Sequence, residues 1–256
     1  MVGGIHVVAG RVEREGQLGG HFAWVAQHRL CDPETFMKAA LENNGWTPDS
    51  QVRVLADGAD GLSNLVGEAA GKTTERILDW FHISMRLRPI EQMSSKIAIV
   101  AGDSDAELKQ LLAEKLPRIR YQLWNGKSQA ALERIGKIYC ATQQLLGVGC
   151  NDDTERIRRF RQHLIDLCNY LRSNWSGLTN YARERRNGRR ISSALAESAM
   201  SHLVNQRMGK RQPMRWSAEG GLFYCKCAAR FSTSSWIPLS VSGTRSSGIN
   251  KRYHYR

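Results

Sequence analysis

The order of strand-like and helix-like patterns constrains this chain more than any other feature. A β-branched run, Ile5–Arg11, and an apolar run, His21–Ala26, predict a hairpin. An Asp-Pro-Glu start followed by apolar residues at helical spacing predicts a helix ending near Gly45. A third strand over Gln51–Ala56 and a fourth over Arg76–Ile83 have the spacing of a βαβ crossover. We therefore expect the order β-β-α-β-α-β, which is typical of an α/β domain.

The pattern becomes helical from Met85 to Tyr181. Ser128–Leu146 and Thr154–Leu171 are amphipathic, with apolar residues recurring at helical spacing, and Leu116-Pro117 interrupts the period. An all-α insertion is therefore predicted after the fourth strand.

The balance of charges points to a polyanionic partner. The chain has 37 Lys and Arg against 24 Asp and Glu, a formal net charge of +13 and a pI of about 9.8. Such a charge attracts polyanions at low salt, so nucleic acid is the first partner to expect. Net charge alone is equally compatible with an ordinary basic enzyme, so the motifs must decide.

Cysteine spacing and hydropathy exclude several classes of protein. The six cysteines form no CxxC or CxxH pair, so we expect neither a zinc ribbon nor a disulfide framework. No stretch approaches 18 consecutive apolar residues, and the first 16 residues lack the regions of a signal peptide. A cytoplasmic protein without a membrane partner is expected.

Asp57 is the first candidate for chemistry. It stands at the carboxyl end of the third predicted strand, where ligands and catalytic groups collect in α/β sheets, and Gly58 lets the chain turn away. A carboxylate at this position can hold a divalent metal. The Asp-Gly pair is also common at strand-end turns for backbone reasons, so by itself it is a weak signal.

Glu197 is the second candidate. It lies on a helix predicted from Ile191 to about Met208, on the same polar face as Ser201 and Asn205. A helical Glu is usually solvated surface, but here basic residues flank the helix on both sides and phosphates could run along it. The candidate DNA contacts are Arg185, Arg186, Arg189, Arg190, Arg207, Lys210, Arg211 and Arg215.

Asp79 and His82 are polar side chains inside the fourth predicted strand. Alternation would place them on opposite faces of the sheet unless a bulge intervenes. A satisfied buried pair and a catalytic pair both remain open at this point.

Three segments in order carry a family resemblance: VLADG, ILDWFHISMRL and ISSALAESAMSHLVNQRMGKRQPMRWS. They resemble the transposases of the ISKra group of bacterial insertion sequences, and the similarity runs from about Ile5 to Gly221. The resemblance implies an α/β, RNase H-like (ribonuclease H/integrase) core with a long all-α insertion before the last catalytic helix. It also implies cleavage and joining of DNA, namely insertion-sequence ends and target DNA.

The catalytic acids of that family are Asp, Asp and Glu. The resemblance assigns the second Asp to Asp57 and the Glu to Glu197, and it gives Asp79 and His82, in the DWFH motif, a supporting role. Three carboxylates bridge and flank two divalent ions in such a site, and Mg²⁺ or Mn²⁺ suits its oxygen ligands. For full-length members of the family, the resemblance also leaves open that the protein forms a homo-oligomer.

The first Asp of the family belongs to a strand that precedes the segment resembling IHVVAGRVEREG, and no residue stands before Met1. We therefore expect a transposase remnant with two of the three acids and no strand transfer by this chain alone. Two alternatives stay open. One is a non-enzymatic DNA-binding remnant, and the other is an RNase H-superfamily nuclease in which Asp60 or Asp79 replaces the missing ligand.

These expectations divide the chain into four parts. Residues 1–84 are a partial core without its first strand, and 85–182 are the helical insertion. Residues 183–220 hold the last catalytic helix and the basic segment, whereas 221–256 have the composition of a disordered tail, as a frameshift would produce.

Overall fold

The computed structural model describes residues 7–14, 19–25, 32–58, 60–71, 74–100, 106–143, 151–194, 217, 219–221 and 223–225, with a mixed and mostly helical α/β structure. The strands are β1 (Val7–Val12), β2 (Gly20–Val25), β3 (Val52–Ala56) and β4 (Thr74–Leu78). The helices are α1 (Pro33–Glu42), α2 (Asp60–Ala70), α3 (Trp80–Val100), α4 (Ala106–Gln110), α5 (Leu116–Trp124), α6 (Ser128–Ala141), α7 (Asn151–Ser173) and α8 (Tyr181–Arg186). A π-helical segment, Leu111–Lys115, joins α4 to α5, and a 3-10 helix, Trp175–Gly177, follows α7.

The predicted hairpin and first helix are confirmed. β1 and β2 pair antiparallel, with Val7 opposite Val25 and Val12 opposite Gly20. The side chain of Asp32 accepts a hydrogen bond from the Thr35 backbone N–H and so satisfies one donor of the first turn of α1.

The predicted βαβ crossover is also confirmed. β3 and β4 are parallel, with Val52 opposite Thr74 and Ala56 opposite Leu78, and α2 connects them. Among the described residues this pair and the hairpin are two separate two-stranded sheets.

The prediction of a fourth strand over Arg76–Ile83 is wrong in its second half. β4 ends at Leu78, and α3 begins at Trp80. The β-branched and aromatic residues of this stretch favour a strand locally, but the Asp79 side chain accepts from the backbone N–H of Phe81 and thereby caps a helix.

The described residues that follow β4 are helical, as the sequence predicts for this part of the chain. The border expected between residues 84 and 85 falls inside α3, which runs from Trp80 to Val100. The predicted interruption at Leu116-Pro117 is a change from the π-helical segment to α5, with the proline in the first turn, where its missing N–H costs no hydrogen bond.

Two hydrophobic cores lie on the two sides of the β3–β4 pair. The helical core joins β4 to the helices after it and includes the fully buried Ile83, Leu123, Phe160 and Leu164. The strand core packs the hairpin, α1, α2 and β3 around buried Trp24, Met37, Leu41 and Val54.

The last described residues also belong to the strand core. Residues 219–221 and 223–225 are helical, and Cys225 is fully buried in that core. Of the segment 221–256 that is expected to be disordered, residues 221 and 223–225 are among these; the rest of it lies outside the described residues. None of the described helices is long and apolar enough to cross a membrane.

Candidate active site at the carboxyl end of the parallel strands

The parallel register brings Asp57 and Asp79 side by side. Each follows directly on one member of the pair Ala56 and Leu78, and the Asp79 N–H donates to the Ala56 carbonyl at 2.9 Å, one step beyond the strand ends. Neighbouring strands lie about 4.8 Å apart, so the two aspartates share one edge of the sheet.

The backbone around Asp57 is held from the helical side. The Tyr170 hydroxyl of α7 donates to the Asp57 carbonyl at 2.8 Å, and Arg76 donates to the Gly58 carbonyl at 3.2 Å. Gly58 has a φ of 104°, and a Cβ there would lie 2.9 Å from the Asn174 amide. The turn is therefore fixed, while the Asp57 side chain is exposed.

Asp79 occupies the opposite environment, since it is fully buried. One carboxylate oxygen accepts from the Phe81 N–H at 2.8 Å. The other accepts from His82 Nδ1 at 3.0 Å and from both the N–H and the hydroxyl of Ser193. Because Asp79 is fully buried and accepts from Phe81, His82 and Ser193, it positions these neighbours.

His82 lies at N3 of α3 and is oriented by Asp79. With a carboxylate as acceptor, Nδ1 carries the ring proton, and Nε2 is the acceptor of the neutral ring. The same side chain lines a cavity of about 340 Å³ together with Arg86, His163 and Asp166. The expectation that Asp79 and His82 lie on opposite sheet faces is wrong, because helical spacing places them together.

The Tyr170 hydroxyl interacts electrostatically with Arg86, Asp57 and Asp79. Burial raises the pKa of Tyr170 to about 12, the Arg86 guanidinium opposes that rise, and the charges of Asp57 and Asp79 add to it. The Arg86 guanidinium carbon lies 4.1 Å from the centre of the Tyr170 ring. The phenol is therefore protonated at neutral pH and can donate to the Asp57 carbonyl.

The segment 191–194 is docked onto the same edge. The Trp80 N–H donates to the Ile191 carbonyl at 3.0 Å, Ser193 bonds to Asp79, and the Tyr181 hydroxyl donates to the Leu78 carbonyl at 2.9 Å. Glu197 itself lies outside the described residues. So do four of the predicted DNA contacts, Arg207, Lys210, Arg211 and Arg215.

The other four predicted DNA contacts lie on and after α8 and fall into two kinds. Arg185 and Arg186 are exposed and form no ion pair within the described ranges. Arg189 donates to the buried Glu184 at 3.3 Å, and Arg190 pairs with Glu13. The first two are therefore the residues available for phosphate.

The buried Glu184 forms ion pairs with Arg53 and Arg189 beneath this basic surface. It is 3% exposed and accepts from Arg53 of β3 at 2.6 Å. The Arg53 hydrogen bond lowers its pKa, burial opposes this, and Arg189 lowers it further. One inward acid thus ties the arginine-rich helix to the strand pair.

Sequence reasoning did not find Tyr170, Arg86, Asn174 or Ser193. Tyr170 lies on α7 and Asn174 follows that helix, so both are distant in the chain, whereas Arg86 lies on α3 close to His82; no local motif marks any of them. Within the part of the chain that the structure describes, no group of three His, Cys, Asp or Glu side chains could hold a metal ion. The Asp57 side chain is exposed at the carboxyl end of β3.

Comparison with known proteins adds no relative. No family model, curated protein or solved structure matches this chain.

Proposed function

We propose that this chain belongs to a DDE transposase of the ISKra group, with an RNase H-like core that binds DNA. The resemblance in three ordered motifs is the starting point. The sequence of hairpin, α1, β3, α2 and β4 supports an α/β core of that kind.

The observation that carries the proposal is the junction between Asp79 and the segment 191–194. The Ser193 N–H donates to Asp79, and the Ile191 carbonyl accepts from the Trp80 N–H. The chain that continues from residue 194 therefore leaves from the sheet edge that bears Asp57. Glu197 follows three residues later. This supports a site in which acids from a strand end and from a following helix act together.

Asp57 and Glu197 are the residues that would hold Mg²⁺ or Mn²⁺. Bound ions of this type activate water or a 3′-hydroxyl and stabilise the leaving oxygen. Asp79 is fully buried, so in this arrangement it holds neighbouring donors and does not present an oxygen to an ion at the sheet edge.

Manganese binding tests the metal assignment. Wild-type protein, Asp57→Asn and the control Asp49→Asn are titrated with Mn²⁺ and followed by electron paramagnetic resonance. Asp49 is exposed on a turn after α1, so its replacement removes the same charge elsewhere. We expect the control to bind as wild type and Asp57→Asn to lose about tenfold or more in affinity. Equal binding by all three proteins would reject Asp57 as a ligand.

Duplex DNA binding tests the arginine surface. Removing Arg185 and Arg186 together should weaken binding to any duplex sequence and reduce the slope of log K against log salt by about 2. The control pair is Arg118→Ala with Arg158→Ala, two exposed arginines on α5 and α7. Identical salt slopes for both double variants would show that α8 does not contact phosphate.

A non-enzymatic DNA-binding protein is the second candidate. The buried carboxylate of Asp79 favours it, because in this arrangement the carboxylate holds neighbouring donors rather than an ion. It predicts that Asp57→Asn leaves both duplex affinity and Mn²⁺ affinity unchanged.

A further inference from the structure

The cavity of about 340 Å³ that His82 lines lies between the first half of α3 and the middle of α7. Its α3 wall includes Met85, Arg86 and Pro89, and its α7 wall includes His163, Asp166 and Leu167. The volume is at the lower end of the range of small-ligand pockets, which is about 300–1,000 Å³. The α7 wall has no part in the Asp57 site described above.

The cavity adjoins the turn that carries Asp57. On α7, His163, Asp166 and Tyr170 recur at helical spacing, so one face of the helix leads from the cavity to Tyr170. The Tyr170 hydroxyl donates to the Asp57 carbonyl at 2.8 Å, and the Arg86 guanidinium carbon lies 4.1 Å from the centre of the Tyr170 ring. One phenol ring therefore separates the cation of the cavity from the Asp57 backbone.

Arg86 is the permanent positive charge of this cavity. Its side chain is exposed, and it forms no ion pair with a carboxylate in the described part of the chain. The Tyr170 ring holds the guanidinium in place, which reduces the side-chain freedom that a ligand would otherwise have to restrict. A guanidinium that is held in this way offers its planar fork of donors to a phosphate.

The other polar groups of the cavity favour an anion over a metal ion. Within the described residues no group of three His, Cys, Asp or Glu side chains could hold a metal. His163 carries a proton on one ring nitrogen in either neutral tautomer and can donate it to an oxygen. The Asp166 carboxylate accepts at 2.8 Å from Gln162, which lies outside the cavity lining, and it does not pair with Arg86.

The apolar part of the lining separates two sources of phosphate. Met85 is 49% exposed, and Pro89 and Leu167 complete an apolar wall. An inorganic phosphate ion has no apolar surface to place against this wall, whereas the sugar of a nucleotide has. The lining therefore favours a phosphate that is part of a nucleic-acid strand.

We propose that this cavity holds one phosphate of the DNA strand that passes the Asp57 turn, with Arg86 as its main donor and His163 as a second donor. The choice of DNA as the source rests on the proposed function, whereas the phosphate site itself rests on the cavity. Asp166 is the acid of the lining that opposes the bound phosphate.

Two variants change the charge of the cavity in opposite directions. Arg86→Gln removes a charge-assisted hydrogen bond and should weaken phosphate binding about tenfold or more. Its control is Arg88→Gln, an exposed arginine of the same helix that does not line the cavity.

Asp166→Asn removes the opposing charge and should tighten phosphate binding about two- to fivefold. Its control is Glu133→Gln, because Glu133 accepts from Gln129 at 3.1 Å in the same arrangement on α6. A gain in affinity cannot be the result of a variant that fails to fold.

Binding is followed by the ring signals of His163 in nuclear magnetic resonance spectra, assigned from His163→Gln. The protein is titrated with inorganic phosphate, with the dinucleotide thymidylyl-thymidine, which has a single phosphodiester, and with sodium chloride at matched ionic strength. We expect the His163 signal to move to saturation with both phosphates and to stay in place with chloride. The dinucleotide should bind more tightly than inorganic phosphate.

Three results would overturn the proposal. A His163 signal that responds to neither phosphate, or equal affinities for Arg86→Gln and Arg88→Gln, would reject the site. A response to inorganic phosphate without one to the dinucleotide would reject DNA as the source. The Mn²⁺ experiment on Asp57 and the duplex experiment on Arg185 and Arg186 concern residues outside the cavity lining, so a failure of the proposed function is distinguishable from a failure of this site.

Discussion

The strand core and the helical core meet at the β3–β4 pair but differ in how completely they bury and satisfy their residues. Phe160, Leu164, Leu167 and Leu171 follow one face of α7, and each is fully buried. On the strand side, Val54, Ala56, Val66 and Ala69 keep 6–7% exposure.

Buried polar atoms without a hydrogen-bond partner also distinguish the strand core from the helical core. The indole N–H groups of Trp24 and Trp46 and the Ser63 hydroxyl are buried without a hydrogen-bond partner in the described part of the chain, and all three lie on the strand side. An unsatisfied buried donor costs about 1–3 kcal/mol. We infer that the helical core carries more of the free energy of unfolding and that the strand side opens first.

The largest expected effect is the loss of a ring from the helical core. Phe160→Ala should lower the free energy of unfolding by about 3–5 kcal/mol, and Met37→Ala in the strand core by about 2–3 kcal/mol. Urea denaturation gives these values, and hydrogen exchange separates the regions. Met37→Ala should leave the amides of α7 protected; equal loss of protection in α7 for both variants would mean that the two cores open together.

Asp79→Ala tests the junction between the regions. It leaves the donors of Phe81, His82 and Ser193 without their acceptor and removes the cap of α3, so we expect a loss of about 3 kcal/mol. Asp49→Ala on an exposed turn should change stability by less than about 0.5 kcal/mol. A loss below about 1 kcal/mol for Asp79→Ala in urea denaturation would contradict the junction described here.

Glu184 should make the link between α8 and β3 sensitive to acid. Its pKa is lowered from the ordinary value of 4.5, first by the Arg53 hydrogen bond, so its contribution is present above pH 4.5 and is lost as the pH falls through the lower folded value. Glu184→Gln should be about 1–2 kcal/mol less stable at neutral pH. Stability curves of the two proteins should converge in acid, and a constant gap at all pH values would argue against this ion pair.

Tyr170→Phe has the smallest expected effect. It removes one hydrogen bond to the Asp57 carbonyl and should cost about 1 kcal/mol. The ultraviolet difference spectrum between wild type and variant isolates this phenol, which should ionise at about pH 12. Ionisation near pH 10 would show that Tyr170 is not buried against α3 as the structure has it.

The sequence was informative where the physics is local. Short β-branched and apolar runs predict β1, β2 and β3, and the Asp32-Pro33 start predicts α1, because these signals depend on neighbours in the chain. Asp57 could be recognised as a strand-end acid for the same reason.

The remaining features depend on contacts that no short motif encodes. The hydrogen bond from Tyr170 to Asp57 spans 113 residues, and the bond from Ser193 to Asp79 spans 114. Asp79 was placed inside a strand because Ile77, Leu78, Trp80 and Phe81 all favour β structure, whereas its capping bonds form only when the helix does.

Gly177 couples the 3-10 helix to the strand end that carries Asp79. A Cβ at this residue would lie 3.1 Å from the Leu78 backbone nitrogen, so a side chain there requires the strand end to shift by a few tenths of an ångström. In a saturation library selected for folded protein, glycine should therefore be enriched at position 177, whereas the exposed Trp175, two residues earlier, should tolerate many replacements.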